Sequence, residues 1–194
     1  MKKRLVWLLC GLFLVVLIMH AAAPASAAPR RQARFARVAI LPVICLQDGI
    51  DYANTIVFQK ATEFFKYPDY EIYDGERLYK ALEEVDYYEA GKQAVTEAML
   101  RTIMEKAGLD MVVMVKLNRL TQRSIAATRE SMEELTISMD VMAIYDWRNK
   151  ITNARVREVL TAEYGVVMRI DWKMREYANR VSFYLERIAK TGKK

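Results

Sequence analysis

The chain has 194 residues, 53% of them apolar, and a formal charge of +6. That length and composition suit one domain with a sizeable core. One histidine and two cysteines exclude a disulfide framework and leave little for imidazole or thiolate chemistry.

The N-terminus changes the charge balance. Lys2-Lys3-Arg4, the apolar run Leu5 to Met19 and Ala25-Ser26-Ala27 read as a secretory signal peptide, residues 1–27, cleaved after Ala27. The alternative is an uncleaved anchor, since Leu5 to Ala23 is almost long enough to span a bilayer. Cys10 follows Leu9, where a lipobox carries a small residue, and it lies too early in the apolar run for lipidation. Cleavage removes three basic residues and no acidic one, which leaves 167 residues and a charge of +3. Such a weak excess gives no reason to expect nucleic acid.

His20 and Cys10 leave with the leader, so Cys45 is the remaining thiol. It either pairs with another chain or acts as a small apolar residue at the end of the first strand. Residues 28–36 read as a flexible basic tail carrying Arg30, Arg31 and Arg34, and 37–190 as a single α/β domain followed by a short tail, 191–194.

Within the domain, Val38-Ala39-Ile40-Leu41 is apolar on both faces and predicts a buried strand, with Pro42 at its end or at a bulge. Asp51 is a candidate cap for a helix with Ala53, Ile56, Val57, Ala61, Phe64 and Phe65 on one face. Tyr70 to Tyr73 is a short strand. Asp74 is a candidate cap for a helix from Glu76 to about Val85, and Gly91 is expected to break the chain. The next helix has Val95, Ala98, Met99, Thr102, Ile103 and Ala107 along one side, and Gly108 suits its left-handed closure.

Leu109 to Tyr164 predicts three consecutive strands. Met111 to Val115 is apolar on both faces. Around Asp140 the odd positions Leu135, Ile137, Met139, Val141, Ala143 and Tyr145 are apolar, while Thr136, Ser138 and Asp140 are polar. That period of two marks a strand with one face on a core. Residues Asp146 to Lys150 form a turn, and a strand with Ala154, Val156, Leu160 and Ala162 on one side follows. A final helix from about Asp171 to Lys190 lines Met174, Tyr177, Ala178, Val181, Leu185 and Ile188 on one face. The expected fold is α/β, with a mixed five-stranded sheet and the order β-α-β-α-α-β-β-β-α.

Without a histidine in the mature chain there is no Ser-His-Asp triad and no imidazole metal site, and no glycine run cradles phosphate. No cofactor or metal is therefore expected. Glu83-Glu84-Asp86 and Glu133-Glu134 are the remaining material for a carboxylate-dependent hydrolase. Tyrosines crowd the first half of the mature chain, and Tyr70, Tyr73, Tyr79, Tyr87 and Tyr88 are candidates for a partner surface. Pro42, Asp48 and Asp74 mark a candidate ligand region at the carboxyl ends of the parallel strands.

Arg37-Val38-Ala39-Ile40-Leu41-Pro42-Val43 resembles the opening strand of an exported α/β group. That group includes the N-terminal domain of TolB, the curli-secretion lipoprotein CsgG and the penicillin-binding-protein activator LpoB. Glu105-Lys106-Ala107-Gly108-Leu109-Asp110-Met111-Val112-Val113 resembles its helix–Gly–x–Asp–strand junction. The chain departs from the group in having no lipobox, as in CsgG or LpoB, and no propeller, as in TolB. The resemblance implies an envelope interaction domain without catalysis. The expected function is therefore an exported, non-catalytic envelope domain that meets another envelope protein or its own copies. It meets membrane only through the signal segment, if that is uncleaved. The alternatives are a periplasmic small-ligand module and the hydrolase.

Overall fold

A computed structural model describes residues 35–48, 50–126, 131–146, 150–163 and 172–192. The signal segment and most of the basic tail lie outside the described residues, as do residues 127–130, 147–149, Gly165 and Lys193–Lys194.

The apolar runs form one six-stranded mixed sheet. Its strands are β1 (Ala36–Ile40), β2 (Ile44–Cys45), β3 (Tyr70–Ile72), β4 (Met111–Ala126), β5 (Ser131–Tyr145) and β6 (Lys150–Glu163). The order is β3-β1-β4-β5-β6, with β2 paired to β4. β1 lies parallel to β3 and β4, and the three long strands form an antiparallel meander. This is the expected mixed α/β architecture, with one strand more than expected. β1 pairs with Val113 and β2 with Lys116 and Leu117 on the same side of β4, so β2 resumes the first strand after an interruption. Pro42 sits in that interruption, because it has no N–H to give to a ladder. Cys45 is a half-buried free thiol in β2.

Five helices are seen among the described residues: α1 (Tyr52–Phe64), α2 (Glu76–Glu84), α3 (Tyr87–Gln93), α4 (Glu97–Ala107) and α5 (Trp172–Gly192). α1 and α5 cover one face, packing Ala53, Val57, Ala61, Val181 and Leu185 onto Val113, Val115, Leu117, Ile137 and Val141. α2, α3 and α4 cover the other, packing Leu78, Leu82, Tyr87, Leu100 and Ile103 onto Ala39, Val112, Met114 and Ile144. The β1-to-β3 and β3-to-β4 connections run in opposite directions and lie on opposite faces, as crossovers of the same hand require. Each fully buried aliphatic side chain contributes about 1.5–3 kcal/mol through burial.

Several local expectations are corrected. α3 is a helix where Gly91 suggested a break. Gly91 is buried inside it, and a Cβ there would lie 2.3 Å from Ile44 Cδ1. Glycine is therefore needed for close packing on β2, not for a turn. The buried stripe of α4 is Leu100, Ile103, Met104 and Ala107, rotated from the expected face because the helix packs against both α2 and the sheet. Thr96 caps α4 by accepting from Met99 N (3.2 Å), and Gly108 closes it at φ 66° as expected. Asp51 holds the N-cap position of α1 as expected but makes no side-chain bond there, and Gly75, not Asp74, holds the N-cap position of α2. α5 continues two residues past Lys190, and Met174 is 39% exposed rather than on the buried face. β1 begins at Ala36, inside the expected tail.

The odd positions of β5 are buried as the period of two requires. Tyr177 on α5 is also fully buried, and its hydroxyl finds no hydrogen-bond partner among the described residues. Burial holds that phenol above its ordinary pKa. A buried polar atom without a partner costs stability, so Tyr177→Phe is expected to stabilise the chain by about 1 kcal/mol. Chemical denaturation of the two proteins would measure it.

Candidate functional site

The first candidate is a cleft of about 470 Å³ at the carboxyl ends of β1 and β3. The chain leaves β1 towards α1 on one face and leaves β3 towards α2 on the other. Diverging connections between neighbouring parallel strands open a crevice. Ile40, Leu41 and Pro42 line it from β1, and Ile72, Tyr73 and Asp74 from β3. Asn54, Thr55, Phe58 and Gln59 come from α1, with Leu78 and Tyr79 from α2.

Of the expected ligand residues, Pro42 and Asp74 meet here. Asp48 does not. It lines a neighbouring hollow of about 280 Å³ with Cys45, Gln47, Asp51 and Asn54. Asn54 borders both, and its Oδ1 accepts from Val43 N (3.1 Å). Gln47 ties the same loop to the sheet by accepting from Leu120 N (3.0 Å). Burial, and then the charge of Asp51, push the Cys45 thiol above its ordinary pKa.

The tyrosines do not form one surface. Tyr70 and Tyr87 are core residues, which corrects their place in a partner surface. Their polar tips explain the burial. Tyr70 OH donates to Ala189 O (2.6 Å) and Tyr87 OH to Pro42 O (2.9 Å), so each ring fills the core while its hydroxyl ties two elements. Burial, followed by the nearby Tyr88, holds the Tyr87 phenol far above its ordinary pKa. Tyr73 is half-buried, with the Arg37 guanidinium 4.4 Å from its ring centre. Tyr79 and Tyr88 are 50% and 51% exposed. Tyr79 OH donates to Asp74 Oδ1 (2.5 Å), and that bond raises the phenol's pKa.

The carboxylate pairs point apart. Glu133 is buried on the α5 side and accepts from Ser124 and Gln122. Glu134 faces the other side and pairs with Arg123 at 2.7 Å. Glu84 contacts Lys106. Asp140 accepts from Asn118 Nδ2 (2.9 Å) and from Arg155 Nε (3.0 Å), so it serves as a cross-strand partner.

The second candidate is the outer half of the meander. On the face carrying α2–α4, buried positions end at Lys116. Beyond it the pairing register brings Arg119, Arg123, Arg155 and Arg157 onto that face with Glu134 and Asp140. Among the described residues no carboxylate pairs with Arg119 or Arg157. Val159, on the same face of β6, is 60% exposed. No strand flanks β6 among the described residues, so its outer edge carries unpaired backbone groups over 14 residues.

Sequence reasoning missed this arginine face, because its residues come from three strands. It also missed Asn54, Phe58 and Gln59. Phe58 carried a usable signal: it is a large apolar residue off the buried stripe of α1.

Among the described residues no group of acidic, histidine or cysteine side chains has the makings of a metal site, and no helix is long and apolar enough to cross a membrane. By sequence, no family model and no curated protein matches the chain. By structure, the chain is similar to the hypothetical protein CT253 from Chlamydia trachomatis, with 12% identity and a TM-score of 0.47 over 79% of this chain and 95% of that one. It is similar to lipoprotein GNA1162 from Neisseria meningitidis, with 11% identity and a TM-score of 0.44 over 80% and 99% of the two chains. The C-terminal domain of LpoB from Salmonella enterica gives 9% identity and a TM-score of 0.36 over 63% and 82%.

Proposed function

We propose that this chain is an exported, non-catalytic interaction domain of the cell envelope that docks an acidic partner protein along β6. The observation that carries the reading is the open 14-residue edge of β6 beside a face where arginines outnumber carboxylates. An open edge offers main-chain hydrogen bonds to an added strand, and the arginines select its charge. The leader-like N-terminus supports export.

A second copy is disfavoured in the registers centred on Arg155, Val156 or Arg157. In a two-fold antiparallel pairing that keeps the covered faces together, opposite residues share a face. A centre at Val156 sets Arg155 against Arg157, and a centre at either arginine sets it against its own copy. Like charges directly opposite destabilise such a pair.

Crosslinking in the native cell, followed by affinity capture and mass spectrometry, tests this reading. The double variant Arg157→Glu, Val159→Lys alters only exposed side chains, so its stability should stay within about 0.5 kcal/mol of the parent. One recurring envelope partner is expected with the parent, and its yield should fall about tenfold in the variant. Equal capture by both, or no partner for the parent, would overturn the reading.

A further inference from the structure

We infer that the cleft between the ends of β1 and β3 binds an organic cation, through an ammonium or guanidinium group. Its volume of about 470 Å³ lies within the range of about 300–1,000 Å³ usual for small-molecule sites. Among the described residues Asp74 is the only charged one that lines it, and no lysine, arginine or histidine does. Phe58 and Tyr79 stand at its sides on α1 and α2, 44% and 50% exposed. Aromatic faces attract cations through the negative charge over the ring, and a carboxylate adds direct Coulomb attraction. Asp74 Oδ1 already accepts from Tyr79 OH, which aligns the carboxylate with the tyrosine, while Oδ2 makes no bond among the described residues.

Tyr73, which lines the cleft, already holds one cation on its ring. The Arg37 guanidinium lies 4.4 Å from the Tyr73 ring centre. It is engaged elsewhere, by Glu71 (3.9 Å) and by Gly108 O (3.3 Å), so it does not serve Asp74. An anionic guest would be repelled by the Asp74 carboxylate, and a wholly apolar one would gain nothing from it. β3 and β6 are opposite edges of the sheet, so this site is separate from the proposed docking edge and does not depend on it.

The same cationic group can come from a free small molecule or from a lysine or arginine side chain of another protein. Calorimetric titration with choline, with N-acetyl-lysine amide and with the neutral choline isostere 3,3-dimethyl-1-butanol separates these. Both cations should bind saturably, and the neutral isostere about tenfold more weakly. Tighter binding of the lysine amide assigns the guest to a side chain, and tighter binding of choline to a free ammonium. Asp74→Asn and Phe58→Ala should each weaken cation binding several-fold with thermal unfolding retained. The isostere comparison on the unaltered chain decides the matter even if a variant folds poorly. Equal binding of the isostere and choline, absence of saturable binding by either cation, or cation binding unchanged in both variants would overturn the inference.

Discussion

Replacing Lys116 by methionine should lower stability by about 2 kcal/mol and loosen α3 before the rest of the fold. Lys116 is 7% exposed, mid-way along β4. Its Nζ donates to Gly91 O (2.7 Å) and Lys92 O (2.8 Å), carbonyls in the last turn of α3. Carbonyls at a helix C-terminus lack intrahelical partners and carry the negative end of the dipole, so a buried ammonium there satisfies both needs. Methionine keeps the stem and removes the donors. It also removes the cost of burying a charge, so the expected loss is smaller than for two independent charged bonds. For a domain of this size the loss corresponds to a fall of roughly 5 °C in Tm. Hydrogen exchange should locate faster opening at Tyr87–Gln93, with the β4–β5 ladder protected as before. A fall spread evenly over the chain would assign Lys116 a general role instead of an anchoring one.

The second large effect concerns the end of α5. Gly192→Val should cost about 3 kcal/mol. A Cβ at Gly192 would lie 2.8 Å from Tyr145 Cε1 and from Tyr70 OH, both on buried rings with no room to move. Those two tyrosines hold the last turn: Tyr70 OH donates to Ala189 O (2.6 Å) and Tyr145 OH to Ile188 O (3.2 Å). Displacing the turn loses both bonds and strains the packing together. Tyr70→Phe removes one bond and leaves the ring, so it should cost only about 1 kcal/mol. Denaturant midpoints for the two variants would check the ranking, and equal costs would contradict it.

These anchors explain which parts of the fold were legible in the sequence. β5 alternates cleanly because one face meets a continuous core and the other meets polar neighbours, so Leu135 to Tyr145 announced the strand. Gly108 announced a helix end because its conformation there is left-handed. Gly91 misled because its role is a contact with Ile44 in β2, four elements earlier in the chain, and local sequence does not carry that contact. The tyrosines misled for a related reason. A tyrosine with a buried ring and a bonded hydroxyl has the same composition as one on a surface, and the partners of Tyr70 and Tyr87 lie 119 and 45 residues away.

The cleft was half legible. Strand ends in a parallel sheet point to a crevice, which brought Pro42 and Asp74 together. Phe58 and Asn54 entered only through the placement of α1, which no local pattern fixes. The arginine face was hidden further, since Arg119 shares it with Arg155 and Arg157 only after a register shift between Leu117 and Arg119.

The most direct measurement is photo-crosslinking in the native cell, with a photoreactive amino acid at position 159 on β6 and, separately, at position 88. Val159 and Tyr88 are both exposed, but only position 159 lies on the proposed docking edge. A discrete adduct from position 159 to one acidic envelope protein, absent from position 88 and lost on Arg157→Glu, is the expected result. No adduct from position 159, or the same adduct from both positions, would contradict docking along β6.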